Sequence, residues 1–299
     1  MIGRAILAAA LLVANGAAAQ DGAGEGANGG ADGRTSWRTP DPENILYMDL
    51  EGGRVVIELA PAFAPNHVDN LRKLVRSGFY DGLSIYRVVD GFVAQGGDVT
   101  ETREPAEGAR SVPAEFTRSA DGLAFTEIPG PDGFADRVGF SGGFPVGMDA
   151  ERGEAWMVHC TGALAIARDA DPDTGGSEFY IVTGKPPRYL DRNLTVVGRV
   201  LTGMPYVRAL APGPREESGV FQDAADYHPL RGMAFAADVP AEDRVAIEVM
   251  RTDGPAFQEL LESRRRPSPD FFKFSPGFVD ICGVKAPVRI DGGEAFWDR

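Results

Sequence analysis

The sequence predicts a mainly β protein, an antiparallel barrel or sandwich rather than a doubly wound parallel sheet. Three observations carry this. The apolar runs are short and bounded by turn residues. Few segments show helical spacing. Glycine (38) and proline (22) are abundant enough to supply many turns. With 299 residues, 43% hydrophobic and 25% charged, the chain has material for one large core or two small ones. A net charge of −14 argues against nucleic acid, because phosphate binding runs on Lys and Arg. The same charge argues against an anionic membrane surface.

Residues 1–19 read as a secretory signal peptide. Arg4 precedes the apolar run Ala5–Leu12, and Ala17-Ala18-Ala19 offers a small-residue cleavage site. The run is too short for a membrane span, and no Cys follows it as in a lipoprotein. Residues 20–40 are rich in Gly, Ala and Asp and read as a flexible linker. Ile45–Leu50 and Val55–Leu59 form a hairpin around Glu51-Gly52-Gly53. Pro65-Asn66 opens a helix with Val68, Leu71, Leu74 and Val75 on one face, and Ser77-Gly78 ends it. A turn at Phe79-Tyr80-Asp81-Gly82 leads into a strand over Leu83–Val89. Residues 100–160 are rich in Gly, Pro and acidic side chains, too long for a plain loop, and read as an insertion that packs on the domain. Ala163–Ala167, Phe179–Val182 and Thr195–Val200 follow as short strands, and Gly203–Leu210 as a short helix. Val245–Met250 reads as a further strand. Phe257, Leu260, Leu261 and Arg264 mark a second amphipathic helix. The main domain then spans residues 41–252, and residues 253–299 form a C-terminal extension packing on it.

Several motifs fail on context. Gly139-Phe140-Ser141-Gly142-Gly143 matches a nucleophile elbow, with His159 or His228 available as base. That elbow needs an apolar strand before it and a helix after it; Asp136-Arg137 precede and Phe144-Pro145 follow. Asp169, Asp171 and Asp173 alternate as in a calcium loop, but Thr174 stands at the sixth position and Tyr180 at the twelfth. Asn193-Leu194-Thr195 fits a glycosylation acceptor yet runs into a strand. Two cysteines, three histidines and no Cys-x-x-Cys pair leave little for a structural zinc site.

One constellation holds. A strand delivers Arg87 among apolar neighbours in Ile85-Tyr86-Arg87-Val88-Val89. A turn at Asp90-Gly91 then brings back Phe92, Val93 and Gln95 before Gly96-Gly97-Asp98. Read alone, this is a surface strand with a solvated arginine. Read with the turn Gly78–Gly82 before it, and with Gly176-Ser177-Glu178-Phe179-Tyr180-Ile181 and Leu190-Asp191…Val196-Val197-Gly198 after it, the ordered set resembles the cyclophilin-type peptidyl-prolyl isomerases. The resemblance runs from Ile45 to about Leu210. It implies a closed eight-stranded antiparallel barrel capped by two helices, with Val245–Met250 as its last strand.

By the same resemblance Arg87 is the catalytic residue. Phe92 and Val93 form part of an apolar proline cup, and Gln95 holds Arg87 or the substrate backbone. Glu178, Tyr180, Tyr189, Leu190 and Leu194 complete the substrate-binding set. The pattern departs from the family at Tyr86 (usually His), Val93 (Met), Glu178 (Gln), Tyr180 (Phe), Tyr189 (Trp) and Leu194 (His). A carboxylate at Glu178 is placed to pair with Arg87, which would leave the guanidinium less to offer a substrate. The implied activity is cis–trans isomerisation of X–Pro bonds in exported proteins, periplasmic or secreted. It needs no cofactor and no metal, and its partners are proline-containing polypeptides. No nucleic acid is implied, nor any membrane after signal cleavage, and a monomer is favoured. The alternative is a catalytically weak or inactive peptide-binding or chaperone module on the same fold. Cys160 and Cys282 either form one disulfide stapling the extension to the barrel or stay as two buried thiols.

Overall fold

The computed structural model describes residues 35–293, so the expected signal peptide and residues 20–34 of the linker lie outside the described residues. The chain opens with β1 (Trp37–Arg38) and the hairpin β2 (Ile45–Leu50) and β3 (Gly53–Leu59). Gly53 sits at φ +144°, and the Tyr206 ring occupies the space where a Cβ would stand. Next comes α1 (Pro65–Arg76), with proline in its first turn and Val68, Leu71, Leu74 and Val75 buried. The strands β4 (Ser84–Val89) and β5 (Val93–Gly97) follow.

Residues 118–157 carry β6 (Arg118–Ser119), β7 (Thr126–Glu127), β8 (Arg137–Ser141), β9 (Phe144–Asp149) and β10 (Glu154–Met157). They form a separate antiparallel sheet in the order β6-β10-β9-β8-β7. Then come β11 (Ala163–Ile166), β12 (Phe179–Val182), β13 (Val196–Thr202) and α2 (Met204–Arg208). The chain closes with β14 (His228–Pro229), β15 (Gly232–Phe235), β16 (Ile247–Met250), α3 (Pro255–Arg265) and β17 (Val288–Ile290).

The large sheet is antiparallel, in the order β14-β4-β5-β12-β11-β13-β3-β2-β15. It has nine strands where eight were expected, because one segment supplies two short ones. His228–Pro229 pairs with β4 at one edge, and Gly232–Phe235 pairs with β2 at the other. Alternation sorts the side chains onto two faces. Leu46, Met48, Val55, Ile57, Leu164, Phe179 and Ile181 point to the main core, which α1 and α2 complete through Leu71, Leu74, Met204 and Val207. The opposite face is also apolar, which is why these strands read as near-continuous hydrophobic runs.

Two layers cover that outer face. Phe144, Val146, Met148, Ala155 and Met157 of the five-stranded sheet cluster with Val93, Ala163, Ala165, Tyr180 and Val182. Elsewhere Ile247, Val249 and Val288 cluster with Ile45, Tyr47 and Val56. Here one expectation is corrected. The strand at Val245–Met250 forms, but in a three-stranded sheet β1-β16-β17 rather than in the large one. The edge of β2 is already taken by β15, whose Gly232-Met233-Ala234-Phe235 is a faint sequence signal. Cys160 and Cys282 are joined in a disulfide with Cα atoms 5.0 Å apart. It ties the last segment, with Phe257 and Leu261 of α3, to Phe140 and Val158.

The rejected motifs have structural roles. Gly142 and Gly143, at φ +58° and +96°, turn the hairpin between β8 and β9, so no helix follows Ser141. Asp171 Oδ1 accepts from the Asp173 amide (2.9 Å), and Asp173 Oδ1 accepts from the Ala114 amide (2.8 Å).

Candidate active site

Arg87 reaches the outer face through an irregularity in β4. The pairing of β4 with β5 shifts register between Ile85 and Arg87, leaving Tyr86 as the extra residue. A bulge of this kind turns two successive side chains to one side. Ile85 and Val88 point into the core, while Tyr86 and Arg87 both point out.

The guanidinium is held by two neutral acceptors. Arg87 Nη1 donates to Gln95 Oε1 at 2.9 Å, and Nε donates to the Ser218 carbonyl at 3.0 Å. Ser218 adopts φ +53°, a conformation uncommon outside glycine, in a loop laid along the edge of β4 beyond its pairing with β14. Val88 and Phe221 amides anchor that loop on Gly219 and Tyr86 carbonyls (2.9 and 3.0 Å). A backbone carbonyl has no side-chain signature, so sequence reasoning missed this contact.

The expected pairing of Arg87 with Glu178 does not form. Glu178 Oε2 accepts instead from the Tyr86 hydroxyl at 2.8 Å, and Oε1 accepts from the Asp98 amide at 2.6 Å. The bulge is the physical reason, because it swings Tyr86 between the carboxylate and the arginine. Gln95 Nε2 donates to the same Tyr86 oxygen at 2.6 Å. Burial pushes the Glu178 carboxyl up to about 7, against the lowering effect of those two hydrogen bonds. Burial and the Glu178 charge push the Tyr86 phenol well up. Asp98 is held at about 2. Burial works to raise it, but the Arg103 amide, the Arg110 guanidinium and the Thr100 hydroxyl outweigh that.

The apolar residues divide. Val93 (1% exposed) and Tyr180 (4%) are buried in the cluster shared with the five-stranded sheet, so neither is an open wall of a cup. Phe92 and Leu194 pack on that cluster and stay half-buried. Leu190 lies half-buried in a 3-10 turn outside the cluster. Tyr189 is 65% exposed. With Phe92, Phe134 and Pro187 it lines a groove of about 600 Å³. A second cavity, about 310 Å³, opens beside Tyr86, Gln95 and Glu178.

Behind Tyr180 runs a buried polar chain that the sequence did not reveal. The Tyr180 hydroxyl is 2.9 Å from Nε2 of His159, and His159 Nδ1 is 3.0 Å from Asp191 Oδ1. Asp191 Oδ2 accepts from Arg188 Nε (2.6 Å), and Arg188 grips both oxygens of Asp132 (2.8 and 2.9 Å). The only available clue was that His159 is one of three histidines.

Comparison with known proteins agrees with this geometry. The family model described as "Cyclophilin type peptidyl-prolyl cis-trans isomerase/CLD" matches residues 45–227. The Brucella suis protein named "Probable peptidyl-prolyl cis-trans isomerase" is 33% identical over 183 residues, 61% of this chain and 79% of its own length. Peptidyl-prolyl cis-trans isomerase B of Bacillus subtilis is 32% identical over 163 residues, 54% of this chain and 87% of its own. The crystal structure of cyclophilin AquaCyp293 from Hirschia baltica superposes with a TM-score of 0.70 at 32% identity. That match covers 85% of this chain and 93% of the other. The chain belongs to the cyclophilin-type peptidyl-prolyl cis–trans isomerases, a family of enzymes.

Proposed function

We propose that this chain isomerises X–Pro bonds in exported polypeptides, with Arg87 as the catalytic residue and Phe92 and Leu194 as the accessible apolar wall against the proline ring. An X–Pro amide resists rotation by ~18–20 kcal/mol, because its nitrogen lone pair is shared with the carbonyl. Twisting localises that lone pair on nitrogen. A guanidinium N–H donated to it is worth more in the twisted state than in the planar one, and this difference is what raises the rate. Neither nucleophile nor metal enters the chemistry.

The observation that carries this reading is how Arg87 is held. Among the described residues only the Ser218 carbonyl and the Gln95 amide engage it, so Nη2 and one hydrogen of Nη1 remain for a substrate. The ion pair with Glu178 that would favour a silent binding module is replaced by the Tyr86 bond. Residues 228–235, bonded to β4 at one end of the large sheet and to β2 at the other, support reading that sheet as a barrel closed by this segment. The Cys160–Cys282 disulfide supports an oxidising compartment, as does the expected signal peptide.

The test is a proline-peptide isomerisation assay on wild type and Arg87→Ala. Losing a charge-assisted hydrogen bond of about 1.5–3 kcal/mol predicts a fall in kcat/KM of roughly 10- to 150-fold. An unchanged rate in Arg87→Ala overturns the mechanism. Peptide binding by wild type with no rate gain supports the binding module instead.

A further inference from the structure

We propose that Glu178 is a positioning residue that switches Arg87 between a held and a released guanidinium, acting through Tyr86 and Gln95. The proposal rests on the isomerase reading above. Four side chains form an unbroken chain of hydrogen bonds. Arg87 Nη1 donates to Gln95 Oε1, Gln95 Nε2 donates to Tyr86 Oη, and Tyr86 Oη donates to Glu178 Oε2, at 2.9, 2.6 and 2.8 Å. With Glu178 ionised, every donor meets an acceptor, and each bond polarises the next.

The other carboxylate oxygen decides what protonation does. The Asp98 amide donates to Oε1 at 2.6 Å, so an acid proton on Glu178 has to sit on Oε2, facing Tyr86. Oε2 then becomes a donor. The Tyr86 hydroxyl must turn its own hydrogen toward Gln95, where it meets the amide NH2. Rotating the Gln95 amide by half a turn relieves that contact and presents Nε2 to Arg87 Nη1, donor against donor. Arg87 is then left with the Ser218 carbonyl alone. One proton at Glu178 therefore removes an acceptor from the guanidinium three residues along the chain.

The setting suits such a switch. Gly97 lies at φ +142°, and a Cβ there would overlap the Glu178 carboxylate, so the backbone is shaped to admit this group. The ionisable groups around it come from several elements. Tyr86 on β4 bonds it, and Asp98 and Glu101 after β5 repel its charge. Tyr80 feels that charge from the turn after α1. Arg110, Arg168 and Asp169 line the adjoining cavity. Arg110 is turned to Asp98 (2.7 Å), and Arg168 to the Asn193 carbonyl (3.0 Å). Asp98 at about 2 stays charged near neutrality, whereas Glu178 at about 7 changes its charge there.

The experiment is a protease-free isomerisation assay from about pH 5.5 to about 8.5 on wild type, Glu178→Gln, Tyr86→Phe and Arg87→Ala. Wild-type kcat rises about tenfold through a midpoint near neutrality, with KM little changed. Glu178→Gln holds a donor toward Tyr86 at every pH, so its rate is low and flat. Tyr86→Phe is also flat, although Glu178 still titrates, and a merely structural carboxylate would not produce that result. A flat wild-type profile in which Arg87→Ala still lowers activity overturns the switch and leaves the isomerase reading standing. A step that survives in Tyr86→Phe also overturns the switch. Wild type inactive at every pH overturns both readings. The Arg87 Nη1–H resonance, followed in wild type across the same range, shifts through the same midpoint, and a resonance that does not move overturns the switch.

Discussion

Replacing Tyr180 by the phenylalanine usual in this family removes one oxygen and keeps the ring, yet the expected outcome is a loss of about 2 kcal/mol of stability. Tyr180 is 4% exposed, and its ring stacks on His159 with centroids 6.2 Å apart. His159 is 0% exposed. Its Nδ1 faces Asp191 Oδ1, and a carboxylate only accepts, so Nδ1 carries the hydrogen. In the tautomer with the hydrogen on Nδ1, Nε2 is the acceptor for the Tyr180 hydroxyl. Without that hydroxyl, the buried Nε2 loses its partner, a cost of about 1–3 kcal/mol. Sparing the desolvation of the hydroxyl offsets a minor part. In a domain this size about 2 kcal/mol lowers Tm by roughly 4–8 °C. Urea unfolding of wild type and Tyr180→Phe measures it, and a double-mutant cycle with His159→Phe isolates the pair. Tyr180→Phe at wild-type stability, or above it, would refute the reasoning, as would a coupling of zero.

Two further predictions concern stability. The disulfide closes a loop with a sequence separation of 122, and chain entropy puts its contribution at about 5 kcal/mol. Cys160→Ala combined with Cys282→Ala should lower the urea midpoint accordingly, and an unchanged midpoint contradicts this. The second follows from Glu178. Its folded value of about 7 lies above its ordinary 4.5, so the folded state binds more protons between those values. Stability therefore falls as pH rises from about 4.5 to about 7, by about 2 kcal/mol after discounting for partial exposure. Asp98 runs the other way: its contribution is present above the ordinary carboxylate range and disappears as pH falls through about 2. Urea unfolding at pH 5 and pH 8 should show Glu178→Gln near wild type at the lower pH and more stable at the higher. Equal curves at both would remove the basis for the raised carboxyl.

How much was legible follows from how locally each feature is encoded. The hairpin, α1 and the central strands are specified by their own alternation and turn residues, and they form within a residue or two of expectation. The five-stranded sheet was not legible. Its outer strands are pairs such as Arg118–Ser119 and Thr126–Glu127, held by neighbours far along the chain rather than by their own pattern. At the site, Arg87 and Gln95 were legible together because one hairpin holds both. Glu178 was placed near them but assigned the wrong partner, since a one-residue bulge leaves no mark in composition or periodicity. His159 reaches partners 21 and 32 residues away, a separation no motif encodes.

The departures from the family pattern look like losses when taken singly, and the structure shows why they coexist with an intact fold. A carboxyl at 178 without Tyr86 would leave Oε2 without the hydroxyl it now faces, free to seek Arg87 instead. A phenol at 180 without His159 would bury an unsatisfied hydroxyl. In each pair the polar group is matched by the one that satisfies it, so the two positions are energetically coupled. The coupling has a functional consequence at position 86. Ionised Glu178 strengthens the hold on Arg87 but lowers stability above about pH 7, so the form best arranged for catalysis is the less stable one. That opposition separates the switch from a purely structural bond. A purely structural carboxyl with the same burial would show the fall in stability as pH rises with no rise in rate beside it.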